Sequence, residues 1–493
     1  MIKGFNVITP ADDPHPGHRG GRRRSPCTDR YRDQVPGVQR EQSAPAPTPV
    51  PAREPQDRPR QLREAGAWAG LVVLGLLLTA VAVHAHARVG SAAAPFTGVY
   101  RAKLRLGSPL APAVAVTAVL AVRSRLLERI SWRWVLVAGY LAAAAWALSL
   151  ALVDGGNGLA SPVTAPTEYL QDVASVHGDP LAFLDTFTRR AAPGRGQFSV
   201  ATRTHPPAPV LLLWVLTRVG VTSPEALGLL LTLAGCLHVP FIAVSVRSLC
   251  HEAAGRAVLP LLVLAPYAVW LAVSMDAVTL SLGAGLVALG VVGSEPGRSR
   301  WWALAAGLVL GMAAMFNYAA AWLGFTVLAV NFVRRRPLLN VIAALGAMVP
   351  LALATLAGFS WLDGLAAARD DFSLRVGPQR SWLLWIALDL LLLLIACGPA
   401  VVRAGRRLRT TPGWPFLAGA GLAIVFALAS GLSRGEVERS WLAFFPWLLV
   451  AAVAPLYRPA GPDEPDAAPT PVLLLGLGAA GAIVVQAVLR TTW

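Results

Sequence analysis

From Ala67 to Leu489 the sequence repeats one pattern: an apolar run, a short polar break, then another apolar run. Crossing about 30 Å of hydrocarbon takes ~20 apolar residues in a helix, fewer where the run is helped by its flanks. Candidate spans are Ala67–Ala87, Leu110–Val122, Val135–Val153, Leu227–Val246, Ala257–Val273, Ala277–Val292 and Trp301–Phe316. Tyr318–Val333, Leu338–Phe359, Trp382–Val402, Trp414–Leu432, Trp441–Tyr457 and Pro471–Leu489 follow. Only 14% of the residues are charged and 55% are hydrophobic, whereas a soluble chain carries about 25% charged residues. These runs predict an all-α fold, a polytopic transmembrane helix bundle of about thirteen spans.

Residues 1–65 differ in kind. They hold eleven prolines, twelve basic and eight acidic residues, with the runs Arg22–Arg24 and Pro45–Pro49. A segment this poor in apolar side chains cannot offset its ordering entropy by burial, so it is expected to be a disordered cytoplasmic tail. It lacks the early apolar core of a signal peptide. Residues 66–493 form the expected membrane domain.

Lysine and arginine concentrate in cytoplasmic loops, and three basic clusters set the orientation: Arg123/Arg125/Arg129/Arg133, Arg334–Arg336 and Arg403/Arg406/Arg407/Arg409. The apolar run Ala208–Val221 is ambiguous by itself. If it crossed, the first cluster would face away from the other two. Laid in the interface as a juxtamembrane helix, it puts all three on one side, together with Arg247/Arg256 and Arg298/Arg300. Loop 88–108, with Arg88, Arg101, Lys103 and Arg105, is the exception. The result is a multi-pass protein of the cell membrane with a cytoplasmic N-terminus and a large outer region, residues 154–221. Most of the net charge of +16 lies in the tail and the cytoplasmic loops. It is an orientation signal and a contact for anionic lipid, and it requires no nucleic acid. Cys27, Cys236, Cys250 and Cys397 have neither metal-ligand nor disulfide-framework spacing.

The polar chemistry gathers on the outer side. Glu168 and Asp172 are four residues apart, so on a helix their carboxylates share a face, with Tyr169 beside them as a candidate substrate contact. A carboxylate held at the surface can act as a general base toward a hydroxyl; a helix-start carboxylate is the structural alternative. His205 precedes Pro206 and Pro207, which rule out helix at that residue. Its imidazole is suited to a phosphate, or is simply a surface residue beside a turn. Glu436, Glu438 and Arg439 lie in a short loop between two apolar runs. The planar fork of Arg439 fits phosphate oxygens, and the alternative is an interfacial snorkelling arginine. Asp276 opens a span, where capping explains its charge better than function. Asn317–Tyr318 interrupts an apolar stretch as a turn that could also line a sugar pocket. Asp389 is the acid deep in a span, either paired in the bundle or marking a pathway. Trp132/Trp134, Trp301/Trp302, Trp382/Trp385 and Trp414 fit an interfacial belt. His84 and His86 are read as structural. No Walker sequence is present.

An acidic outer loop followed by His205-Pro206-Pro207 and an apolar helix resembles the GT-C superfamily of membrane glycosyltransferases. Protein O-mannosyltransferases and aminoarabinose transferases of that superfamily share the Pro-Pro lead-in. Gly435–Trp441 is similar to the Glu-Arg loop of bacterial GT-C-like proteins. The resemblance implies a polyprenyl-phosphate-linked sugar as donor and an outward-facing glycan, lipid or protein as acceptor. It maps the catalytic base onto Glu168, with Asp172 as rival, and donor-phosphate binding onto His205 and Arg439. Tyr169, Glu436, Glu438, Asn317, Tyr318 and Asp276 are expected substrate contacts. The chain departs from the family in two extra spans before the large loop, and in Thr167-Glu168 where an Asp-Glu pair is common. A divalent metal is compatible with this chemistry, although no ligand cluster calls for one. The competing reading is a transporter or flippase of a lipid-linked sugar or other amphiphile, which would line the midplane with its polar groups.

Overall fold

The computed structural model describes residues 58–103, 107–195, 197–454 and 469–490. The greater part of the expected tail, including Cys27 and both of its runs, and the end of the Trp441–Tyr457 run lie outside the described residues. The first helix, Arg58–His84, starts seven residues before the expected boundary at residue 65. Within it Glu64 is buried against Arg403 and Arg406, at 3.7 and 3.5 Å.

The chain is an all-α membrane protein, a bundle of helices with one two-residue ribbon, Val99–Tyr100 paired antiparallel with Leu489–Arg490. Among the described residues five helices are long and apolar enough to cross a membrane: Arg58–His84, Trp132–Asp154, Pro224–Leu249, Met275–Gly293 and Leu338–Leu356. Trp382–Cys397 and Ala400–Arg407 make a sixth span if taken together, bent by 106°. The bend falls at Gly398, in a left-handed conformation at φ 68°, and Pro399. Several other expected spans are shorter or broken. Ala257–Val273 becomes a helix ending at Val263 and a 3-10 turn Pro266–Val269. Tyr318–Val333 begins as a 3-10 segment and continues as Gly324–Val333. Within Trp441–Tyr457 the described helix is Phe445–Val450.

Helix Ala208–Arg218 has 11 residues, about 16 Å at 1.5 Å per residue, too short to cross. It packs with its apolar side into a second core of Phe183, Phe187, Phe198, Phe359, Met275 and Tyr169. That core seats the long loop on the bundle. The helices pack closely where side chains are small: a Cβ on Gly307 would lie 2.0 Å from the Ala343 carbonyl oxygen, the close approach that membrane helices use.

Contacts sort the loops into two sets. Arg334 donates to Ser248 and Ser294, Arg336 to the Glu295 carbonyl, and Arg256 to the Ile130 carbonyl. These contacts gather four of the basic loops. The second set joins Glu168, Asp276 and Arg439, and Arg203 with Asp371 at 3.4 Å.

Candidate active site

Glu168 sits in extended backbone, φ −100° and ψ 164°, just before a 3-10 segment Tyr169–Val176. The expected α-helical face shared by Glu168 and Asp172 is therefore absent. The two carboxylates part. Asp172 accepts a hydrogen bond from the Ser199 amide at 2.9 Å, closing the loop on itself. Glu168 turns to Arg439, whose Nη1 and Nη2 donate to its two oxygens at 2.6 and 3.3 Å.

Asp276 completes the arrangement. Its Oδ2 accepts from Arg439 Nε at 3.0 Å. The cap of helix Met275–Gly293 is Ser274, whose Oγ accepts from the Asp276 amide at 3.1 Å. The expectation that Asp276 serves as the cap is thus corrected: serine takes the orphan amide, and the carboxylate is left for the arginine. Glu168, Asp276 and Arg439 are nearly buried, with side chains 10%, 7% and 13% exposed. Burial alone would lower the Arg439 pKa, but Glu168 and Asp276 outweigh it and raise it, so the guanidinium stays charged. Tyr169 is buried alongside, and its hydroxyl pKa is raised well above normal by burial, then by Asp276 and Glu168.

The segments delivering these groups are tightly bent. Val273 has φ 61° and Glu436 also φ 61°, a left-handed conformation unfavourable for a β-branched valine. The Val273 amide is held by Thr232 Oγ1 at 2.9 Å. The Arg439 loop is fixed by the Gly435 amide donating to Asp389 Oδ1 at 2.9 Å. Asp389 thus has Oδ1 bonded inside the bundle, while its Oδ2 is buried with no hydrogen-bond partner among the described residues. Arg380 donates to the Arg434 carbonyl at 2.6 Å and lies over Trp385 at 5.1 Å. Trp385 is fully buried and so leaves the expected interfacial belt.

His205 is extended between two helices, as its prolines require. A carbonyl oxygen only accepts, so Nδ1 donates to the Ala201 oxygen at 3.0 Å. The ring meets Tyr169 edge-on at 5.7 Å, one ring removed from the arginine. Four other expected contacts lie elsewhere. Glu436 pairs with Arg380 at 3.3 Å. Glu438 is fully buried; its Oε1 accepts from the Thr97 amide at 3.4 Å, and burial pushes its carboxyl up to about 7. Asn317 Oδ1 caps the Ala319 amide, and Tyr318 stands against Trp361 at 5.3 Å.

A small cavity of about 30 Å³ borders the arginine, lined by Pro162, Glu168, Val269, Trp270, Ala272, Val273, Ser274 and Arg439. Sequence reading missed Trp270 and Ser274. Neither sits in a charged motif, and the break of the expected Ala257–Val273 span after Val263 brings them to the site. Among the described residues no group of three or more His, Cys, Asp or Glu is placed to hold a metal ion.

No curated protein matches the sequence. Two solved structures resemble the chain: ArnT from Cupriavidus metallidurans in the apo state, at 18% identity and TM-score 0.37, and the same protein bound to undecaprenyl phosphate, at 17% and 0.38. The alignments cover 56% and 55% of this chain and 54% of each of those, so the chain matches about half their length. Residues 204–361 match the family model described as dolichyl-phosphate-mannose-protein mannosyltransferase. That stretch, about a third of the chain, runs from the His205-Pro206-Pro207 lead-in through Asp276 to Trp361.

Proposed function

We propose that the chain transfers a sugar from a polyprenyl-phosphate donor to an outward-facing glycan, lipid or protein acceptor. The observation that carries this reading is the clasp of Arg439 by Glu168 and Asp276 beside a cavity. The description of the matched family, which names a dolichyl-phosphate sugar, supports the donor class. With the basic loops on the cytoplasmic side, the clasp faces outward.

Arg439 has a bidentate partner in Glu168 that a phosphate can replace, because both offer two oxygens to the same fork. When the donor phosphate takes the fork, Asp276 keeps Nε and holds the guanidinium in place. Glu168 is then released as a carboxylate next to the anomeric carbon. The acceptor oxygen forms its bond to that carbon as its proton passes to Glu168. The bond from the anomeric carbon to the phosphate oxygen breaks, and the polyprenyl phosphate leaves with the electron pair, its charge met by Arg439. Stabilising charge on the departing group in a dry site is where a protein contributes most. His205 and Tyr169 complete the polar edge of the site.

Purified protein in liposomes, given radiolabelled polyprenyl-phosphate mannose and glucose together with an extract of the native envelope as acceptor, tests the reading. Label appearing in an acceptor of the native envelope is the expected result. Flux of the labelled lipid across the bilayer without any transfer would replace this reading with transport.

A further inference from the structure

Trp270 is 4% exposed and borders the cavity that Glu168 and Arg439 also line. Its indole Nε1 is buried with no hydrogen-bond partner among the described residues, although buried tryptophan N–H groups usually find one. Phe96 stacks on the ring, centroids 6.0 Å apart and planes 22° from parallel.

Phe96 belongs to the loop between the first two helices of the bundle, and that loop is held at several points. Ser91 Oγ donates to the Phe96 carbonyl at 2.5 Å, the Ser381 amide to the Arg88 carbonyl at 2.9 Å, and the Thr97 amide to Glu438. Its far end forms the ribbon with Leu489–Arg490. The N-terminal spans thus reach the cavity wall through Phe96 and the turn carrying Arg439 through Thr97.

We propose that Trp270 recognises the sugar of the donor, its indole N–H donating to a sugar oxygen, and that Phe96 is the positioning residue that sets the ring. This rests on the transferase reading above. The phosphate has the arginine fork, which leaves the orphan donor of a residue bordering the same cavity for the other oxygen-rich part of the same ligand. A cavity of about 30 Å³ has room for roughly one water molecule, so the sugar enters as the clasp between Glu168 and Arg439 opens.

The test measures binding of three probes to the full chain in nanodiscs: decaprenyl phosphate, decaprenyl-phosphate mannose and decaprenyl-phosphate glucose. Wild type is expected to bind at least one hexose form more tightly than the bare phosphate. Trp270→Phe keeps an aromatic ring and removes the N–H. It is expected to weaken the preferred hexose form about tenfold, the scale of one lost hydrogen bond, with bare phosphate changed less than about twofold. Phe96→Leu keeps apolar packing without the stack and should show the same selective loss, while Phe96→Tyr restores selectivity. Equal loss for all three probes, or none, overturns the inference and leaves the transferase reading standing. Equal wild-type binding of all three also overturns it. Wild type that binds none of them removes the lipid-donor reading together with the inference.

Discussion

A guanidinium enclosed by two carboxylates makes each carboxylate depend on it. Arg439→Ala leaves Glu168 and Asp276 as neighbouring buried acids, and breaking such a pair costs about 3–5 kcal/mol. Thermal unfolding in detergent should show that loss, and adding Glu168→Gln and Asp276→Asn should restore most of it. Unchanged stability of Arg439→Ala would mean the clasp is not formed. Glu438 gives a second test, through pH. Its folded carboxyl stands at about 7, above the 4.5 of the free group. Its neutral form therefore favours the fold at low pH, and that contribution is lost as pH rises through 7. Glu438→Gln should gain stability relative to wild type between pH 5 and 7, with the difference levelling off above; a difference that does not vary with pH would contradict the burial argument. Much of this scale was not legible in the sequence. Glu168 and Arg439 could each be singled out by residue type and loop position. Their pairing, across 271 positions, and the role of Asp276 could not, because a carboxylate at a helix start reads first as a cap.

At the scale of elements, hydropathy predicted the uninterrupted helices well: Trp301–Phe316 coincides with its helix, and Met275–Gly293 exceeds its expected run by three residues. Asn317-Tyr318 marked one break by its polarity, but breaks inside the expected spans escaped, since the residues on both sides are equally apolar. Gly398-Pro399 carried a turn signal that the length of the run obscured. The break after Val263 matters most, because it puts Trp270 and Ser274 at the site. The short loop carrying Arg439 depends on a neighbouring helix through Asp389. Asp389→Leu removes the acceptor of the Gly435 amide, whereas Asp389→Asn retains a carbonyl oxygen there. Hydrogen exchange at residues 433–440 should accelerate in the leucine variant by about tenfold, the effect of ~1–2 kcal/mol. It should stay near wild type in the asparagine variant. Equal exchange in both would detach Asp389 from this loop.

Over the whole molecule, contacts draw four of the basic loops together, and the acidic and arginine-bearing ones together. Labelling tests which set faces the cytoplasm. In a cysteine-free background, a cysteine at the exposed Asp185 should react with an impermeant maleimide from outside the cell. One at the exposed Arg335 should react only after the membrane is opened, and the reverse pattern would invert the protein. The central claim is that Glu168, freed from Arg439 by the donor phosphate, takes the proton of the acceptor. It is tested most directly by sugar transfer from radiolabelled polyprenyl-phosphate donor in membranes containing wild type or Glu168→Gln at equal expression. The account predicts a fall in transfer of about 10²–10⁴-fold, the range of a lost general base, with donor binding retained. Full transfer by Glu168→Gln would contradict it.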